Sequence, residues 1–345
     1  MKRIKGLVLL CLLGSLSCSE DFQLTEPYKD LSVVYGFIST INEFHKNEKD
    51  VVVYTRLDTA QYIRVEKLFV DENIPASQIA KNVDSLYYKN AKVSLTKLNK
   101  NPALNVEYFL TMVDANLEGF QRNEGPFATS PNYMYKIKSS QIPIESGDSL
   151  LFKLDRGEKS KLVTARINIL NKVEFNSPSV SFQQLNFKPD ETQEFAWVGG
   201  SDAILFDFIM KIYVEETNAV TLKKEVKTLK WNIKKSDYAK SAIISNKSFY
   251  SILSSGLKVD GEISRQIQGI ELILVAGGVD LNGFNLIVNA NTGLTASQEI
   301  PRFTNLSDGF GLLASTTTTI RPIGIHNDTK SYLKTEPLTA KLNFK

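Results

Sequence analysis

Apolar and polar residues alternate with a period of two through most of this chain, the pattern of half-buried β-strands. Segments 31–40, 51–57, 61–70, 91–98, 106–114, 133–138, 148–154 and 163–169 are rich in β-branched and aromatic residues and lie between turn-like polar stretches. Within 61–70 the alternation slips near Lys67, as at a bulge or a strand end. About eight strands at this spacing predict a sandwich. A second run covers 180–187, 192–197, 203–213, 223–231 and 267–276, with a last strand at 338–344. Residues 203–206 are almost continuously apolar, as in a strand covered on both faces.

Helical spacing is confined to short stretches. In 73–88, Pro75 suits a first helical turn, and Ile79, Val83 and Leu86 recur on one face. In 245–257, Ser245 can cap, Phe249, Ile252 and Leu253 share a face, and Gly256 can end the helix. Residues 281–291 can form another. Asn176, Ser177 and Pro178 mark a candidate boundary. The expected fold is mainly β: two β-sandwich-like domains with short helical insertions, an Ig-like one over 31–175 and a β-rich one with short helices over 176–345.

The first stretch, MKRIKGLVLLCLLGSLSCSED, breaks the strand pattern. Lys2, Arg3 and Lys5 form a basic region, Leu7 to Leu13 an apolar one, and small residues then lead to Cys18, the order of a secretory signal. The apolar run is well short of the roughly 20 residues that span a bilayer. The end of this stretch resembles the lipobox of bacterial lipoproteins, with Leu16 and Ser15 in the reverse of the usual order. The resemblance implies a signal peptide over 1–17, an acylated Cys18 and a tether over 18–30. Ser19, Glu20 and Asp21 are similar to the acidic signal by which Bacteroidota send lipoproteins to the outer face of the outer membrane; a merely solvated acidic linker is the alternative. The localisation expected is the outer membrane, by lipid anchor, facing the cell exterior.

This leader changes the meaning of the charge. The 345-residue chain carries a formal +3. Cleavage before Cys18 removes Lys2, Arg3 and Lys5 from the 41 basic residues and leaves 38 against 38 acidic ones. A near-neutral mature chain lacks the clustered cationic field of nucleic-acid binding. Its two cysteines are Cys11, lost with the leader, and Cys18, so no disulfide is expected.

Chemistry-bearing residues are sparse. His45 and His326 are the only histidines and are far apart, which argues against a metal site, a cofactor or a His-based triad. Paired acids at Glu215 and Glu216, Asp190 and Glu191, and Glu48 and Asp50 qualify for glycosidase chemistry by presence alone. Asp308, Gly309 and Gly311 suit either a tight connection or an anion-binding nest. Asp280 to Gly283 reads as a turn without full calcium-loop spacing. Trp197 and Trp231, with Tyr87, Tyr88, Tyr133 and Tyr135, can form either a sugar platform or sandwich core.

The segments VYGFIST, QYIRVEKLFV, VDSLYY and FTNLSDGFG, in that order, resemble uncharacterised β-rich surface lipoproteins of Bacteroidota, often encoded beside TonB-dependent outer-membrane transporters. The resemblance implies β-rich extracellular domains and brings no catalytic residues. Thr59, Ser85 and Ser149 sit in Asp-Ser/Thr-Ala/Leu triplets similar to the O-glycan acceptor of that phylum, or in ordinary turns. The expected role is a non-enzymatic accessory of an outer-membrane β-barrel complex in transport, export or assembly. The alternative is a glycan- or peptide-binding lipoprotein feeding a TonB-dependent transporter. The expected contact loops are 118–131 and 291–311.

Overall fold

The computed structural model describes residues 31–46, 52–68, 80–125, 127–157, 160–179, 181–290 and 303–345. Cys18, Ser19, Glu20 and Asp21 lie outside these residues.

Alternation along Val34, Gly36, Ile38 and Thr40 buries one side of β1 (Leu31–Lys46) and turns Tyr35 and Phe37 outward. β2 (Val52–Arg56) and β3 (Ala60–Leu68) follow, and both are antiparallel to β1. The slip at Lys67 is a strand end, since β3 keeps register with β1 through Leu68. After the one-turn helix α1 (Val83–Leu86) come β4 (Lys92–Leu98), β5 (Val106–Phe109) and β6 (Thr111–Asp114). The expected strand at 106–114 is therefore divided at Leu110, with β5 in one sheet and β6 in another. β7 (Tyr133–Lys138), β8 (Ser149–Asp155) and β9 (Val163–Asn168) complete this half.

The second half holds β10 (Glu174–Ser177), β11 (Gln184–Leu185), β12 (Thr192–Val198), β13 (Leu205–Asn218), β14 (Lys224–Asp237) and β15 (Ser241–Ser245). Then come α2 (Lys247–Gly256), β16 (Ile263–Gly277), α3 (Val279–Ala290), β17 (Phe310–Ile325) and α4 (Asn327–Thr335). The molecule is mainly β and sandwich-like, with short helices.

A ten-stranded sheet runs in the order β14-β13-β16-β17-β1-β3-β7-β6, with β2 and β11 attached at β1 and β17. A four-stranded sheet, β5-β4-β8-β9, shares an aliphatic cluster with its first-half strands. The three strands β10-β12-β15, with α2, share a larger aromatic cluster with its second-half strands. The cores change over between Ile169 and Val173. The division expected at 176 thus meets two cores on one continuous sheet, because β1 pairs in parallel with β17 along Val33 to Glu43.

Two expectations are corrected. The strand over 180–187 reduces to the two residues of β11. Residues 338–344 do not form a strand: Ala340–Leu342 is a 3₁₀ turn, and only Phe344 bridges to Arg265. Leu342 and Phe344 are buried in the second core, so apolar alternation there reflects packing without a ladder. The threonine run 316–319, which no expected element covers, belongs to β17, the strand at the centre of the long sheet.

The inner face of β17 explains why it reads as polar. Leu313 enters the first core, Ile323 and Ile325 enter the second, and Ser315, Thr317, Thr319 and Arg321 lie buried between them. Three of them, Ser315, Thr319 and Arg321, hold the chain that crosses from one half to the other. Ser315 Oγ accepts from Leu170 N at 3.1 Å, and Thr319 Oγ1 donates to the Val173 carbonyl. Arg321 donates to the carbonyls of Pro178, Ser179 and Phe182, with the last two at 2.7 Å, and lies 5.2 Å from the Phe44 ring centre. Buried peptide carbonyls need such partners.

Candidate functional site

The β6–β7 connection, residues 115–132, is the longest described loop of the first half and contains the expected contact segment 118–131. It sits where β1 begins and β3 ends, because Asp114 pairs with Tyr133 and Leu31 with Leu68. Tyr88 Oη donates to the Leu31 carbonyl at 3.3 Å, and Tyr87 Oη donates to that of Pro131 at 3.4 Å. The start of β1 and the loop are thereby tied through one dipeptide.

Polar side chains brace the loop from inside. Asp114 Oδ1 accepts from Asn116 N and Asn132 N, both at 3.0 Å. Asn132 Nδ2 donates to the Phe120 carbonyl at 2.8 Å, and Asn116 Nδ2 to that of Thr129 at 2.9 Å. Arg122 pairs with the buried Glu66 at 2.9 Å, donates to Tyr87 Oη at 3.3 Å and stacks over Phe127 at 4.7 Å. Burial, then the Glu66 charge, raise the Tyr87 phenol above its usual value and keep it a neutral hydrogen-bonding group. Glu118 is held below the usual carboxylate range by hydrogen bonds from Lys136 and then Tyr62.

With Asn116, Arg122 and Asn132 engaged inward, the loop turns apolar groups outward. Leu117 is 88% exposed and Phe120 is 51% exposed, with the Phe120 ring 4.9 Å from that of Tyr62. Gly119, at φ +87, permits the tight turn between them. Large apolar groups held together in water by a braced backbone mark a contact surface.

The other candidate residues fall into structural roles. Trp197 is 2% exposed, and its ring lies 5.8 Å from those of Phe206 and Phe208. Trp197 is therefore core and offers no platform. Trp231 packs partly buried against the same core, and Tyr87, Tyr88 and Tyr135 are buried in the first half. Thr59 Oγ1 meets Ser139 Oγ at 3.1 Å, Ser85 lies in α1, and Ser149 Oγ donates to Asn168 Oδ1 at 2.8 Å; all three are half-buried.

Of the paired acids, Glu216 is bound by Arg265 at 2.8 Å and Lys227 at 2.7 Å, Glu215 by Lys224 at 2.9 Å, and Glu191 by Lys188 at 3.2 Å. Glu48 and Asp50 lie outside the described residues. His326 Nδ1 caps α4 by accepting from Asp328 N at 3.2 Å. Among the described residues no three His, Cys, Asp or Glu side chains group as metal ligands.

At 305–311 the glycines serve close backbone approach: a Cβ on Gly311, at φ +122, would lie 1.9 Å from the Val34 carbonyl oxygen. Asp308 is bound by Arg156 at 2.8 Å, and the Asn305 amide brackets the backbone of Leu313. Asp280 to Gly283 is helix, the start of α3, and not the turn expected.

Two clefts flank α3. One, of about 230 Å³, lies among Leu205, Asp207, Lys235, Leu281 and Asn285; the other, of about 120 Å³, among Asp202, Asp280 and Ser315. Both are smaller than the roughly 300 Å³ at which small-molecule sites begin. Burial raises the Asp280 carboxyl above its usual value against a hydrogen bond with Asn305, and Asp202 accepts from Asn171 N at 2.8 Å.

The bracing residues Glu66 and Arg122 escaped sequence reasoning, since they are 56 positions apart. The signal available was the spacing of Leu117, Phe120 and Phe127 inside a Gly- and Asn-rich loop. A scan against protein-family models and a search of curated proteins gave no match to this chain.

Proposed function

We propose that this chain is a surface lipoprotein of the outer membrane, acylated at Cys18, that works by contact, without turnover, as an accessory of a β-barrel partner. The observation that carries this reading is the order of basic, apolar and small residues before Cys18, followed at once by Glu20 and Asp21. An outward-facing apolar loop next to the first strand supports work by contact at the membrane rather than turnover, whichever surface meets the barrel. The glycan- or peptide-binding alternative has weaker support, since Trp197 is enclosed in the core.

The test has two arms. Cys18→Ala should move the protein out of the membrane fraction, and full retention of that variant would remove the anchor. A mild-detergent pull-down of the acylated protein should recover a large barrel. Recovery of no barrel, or a measurable hydrolysis rate on glycan or peptide, would remove the accessory role.

A further inference from the structure

Leu117 and Phe120 stand at the end of the molecule where the tether enters, and a second strongly apolar tip stands at the far end. That second tip is the β13–β14 hairpin, with Val220 73% and Leu222 75% exposed. Asn218 Oδ1 fixes it by accepting from Val220 N and Thr221 N, and Leu222 adopts φ +56. Tracing register from Val33 through β17 and β16 to Asn218 puts the tip about twenty residues along the strands, on the order of 60 Å away.

The thirteen residues from Cys18 to Asp30 can span at most about 45 Å. An acyl chain on Cys18 therefore holds Leu31, and the loop tied to it through Tyr87 and Tyr88, within reach of the bilayer. We propose that the loop carrying Leu117 and Phe120 is a second, hydrophobic contact with that same lipid surface, fixing the orientation of the anchored protein. This rests on the acylation of Cys18.

Lipid is favoured over a protein partner by the shape and charge of the loop. Leu117 projects from a tight turn as a single knob, the form that enters a headgroup layer. Glu118 is neutralised by Lys136 and Arg122 by Glu66, and the exposed Glu124 is acidic, so attraction to anionic headgroups contributes little. A barrel partner then docks elsewhere than on 115–127.

The experiment uses the acylated full-length protein in vesicles of phosphatidylethanolamine and phosphatidylglycerol. Acylation consumes the Cys18 thiol, so a cysteine introduced elsewhere is the one reactive thiol of the mature chain. An environment-sensitive fluorophore is placed by Leu117→Cys, and in separate proteins by Leu222→Cys and Leu104→Cys. The label at 117 should shift to the blue and be quenched by lipid-borne nitroxide, while those at 222 and 104 stay as in water. The unacylated chain should bind the same vesicles weakly, and Leu117→Asp with Phe120→Asp should lower that binding about tenfold, with less than a twofold change across salt. A water-like label at 117, or equal signals at all three positions, would overturn the proposal. So would burial of that label only when membrane protein is added, which would assign the loop to a protein partner. Failure of the anchor itself would appear earlier, as a mature mass lacking acyl chains.

Discussion

The two cores that share the long sheet are filled by different means. In the first half, Val34, Ile38, Ile63, Val65, Leu95, Leu150 and Ile167 spread the burial over many small aliphatic groups. The second half concentrates it in rings: Phe175, Phe195, Phe206, Phe208 and Trp197 form a contiguous set, and Phe187 stacks on Phe249 at 4.1 Å. A ring buries roughly 150–250 Å². The aromatic core should therefore depend steeply on single residues, and the aliphatic core should not. What joins them is a strand that is apolar at both ends and polar between.

The strongest way to break the contrast is to strike both cores through that strand. Gly311→Ala puts a methyl against the Val34 carbonyl at a positive φ, so β1 and β17 cannot keep register. The expected cost is about 4 kcal/mol or more, at the extreme of single substitutions. Thermal unfolding followed by near-ultraviolet dichroism should show both halves weakened together. Loss of the second half's signal alone would mean that the cores are independent.

Next comes the contrast itself. Trp197→Ala should cost about 3–5 kcal/mol, against about 0.5–1.5 for Ile63→Val in the first core. Urea titrations of the two variants measure the difference. Equal midpoints would show that ring packing gives no special dependence.

The smallest effect concerns acid. Burial pushes the Glu216 carboxyl up, but hydrogen bonds from Lys227 and Arg265 outweigh it and hold the group below its usual 4.5. A folded value below the unfolded one gives stability that is present above about pH 4.5 and lost as pH falls through the depressed value. Melting temperature should fall more steeply below pH 4.5 in the wild type than in Glu216→Gln. Parallel pH profiles would remove this pair from the acid response.

Much of the architecture could be read directly. Phe206, Phe208, Met210, Ile212 and Val214 alternate cleanly, and β13 follows them. Phe249 and Leu253 sit one turn apart, and both are buried in α2. The reading failed where polar side chains face inward. Ser315, Thr319 and Arg321 occupy core-facing positions of β17 because they meet backbone groups of the crossing chain, and no local pattern announces a partner some 140 residues away. A loop over 118–131 is visible from its composition. Its bracing by Glu66 is not, since a charge in a strand carries no mark of the cation it will meet.

The parallel pairing of β1 with β17 also sets an order of events. Ser39 Oγ meets Thr316 Oγ1 at 2.8 Å across 277 positions of sequence. Contacts that close loops of this length form late, after the entropy of the intervening chain has been lost. During synthesis or export, β1 has no β17 to join until the chain has emerged past Phe310. The same central strand that unites the folded molecule therefore keeps its first half incomplete, with an open edge on β1, through most of the chain's passage. A polypeptide shortened before Phe310 would keep that open edge for good, because β17 is the strand that joins β1 to β16.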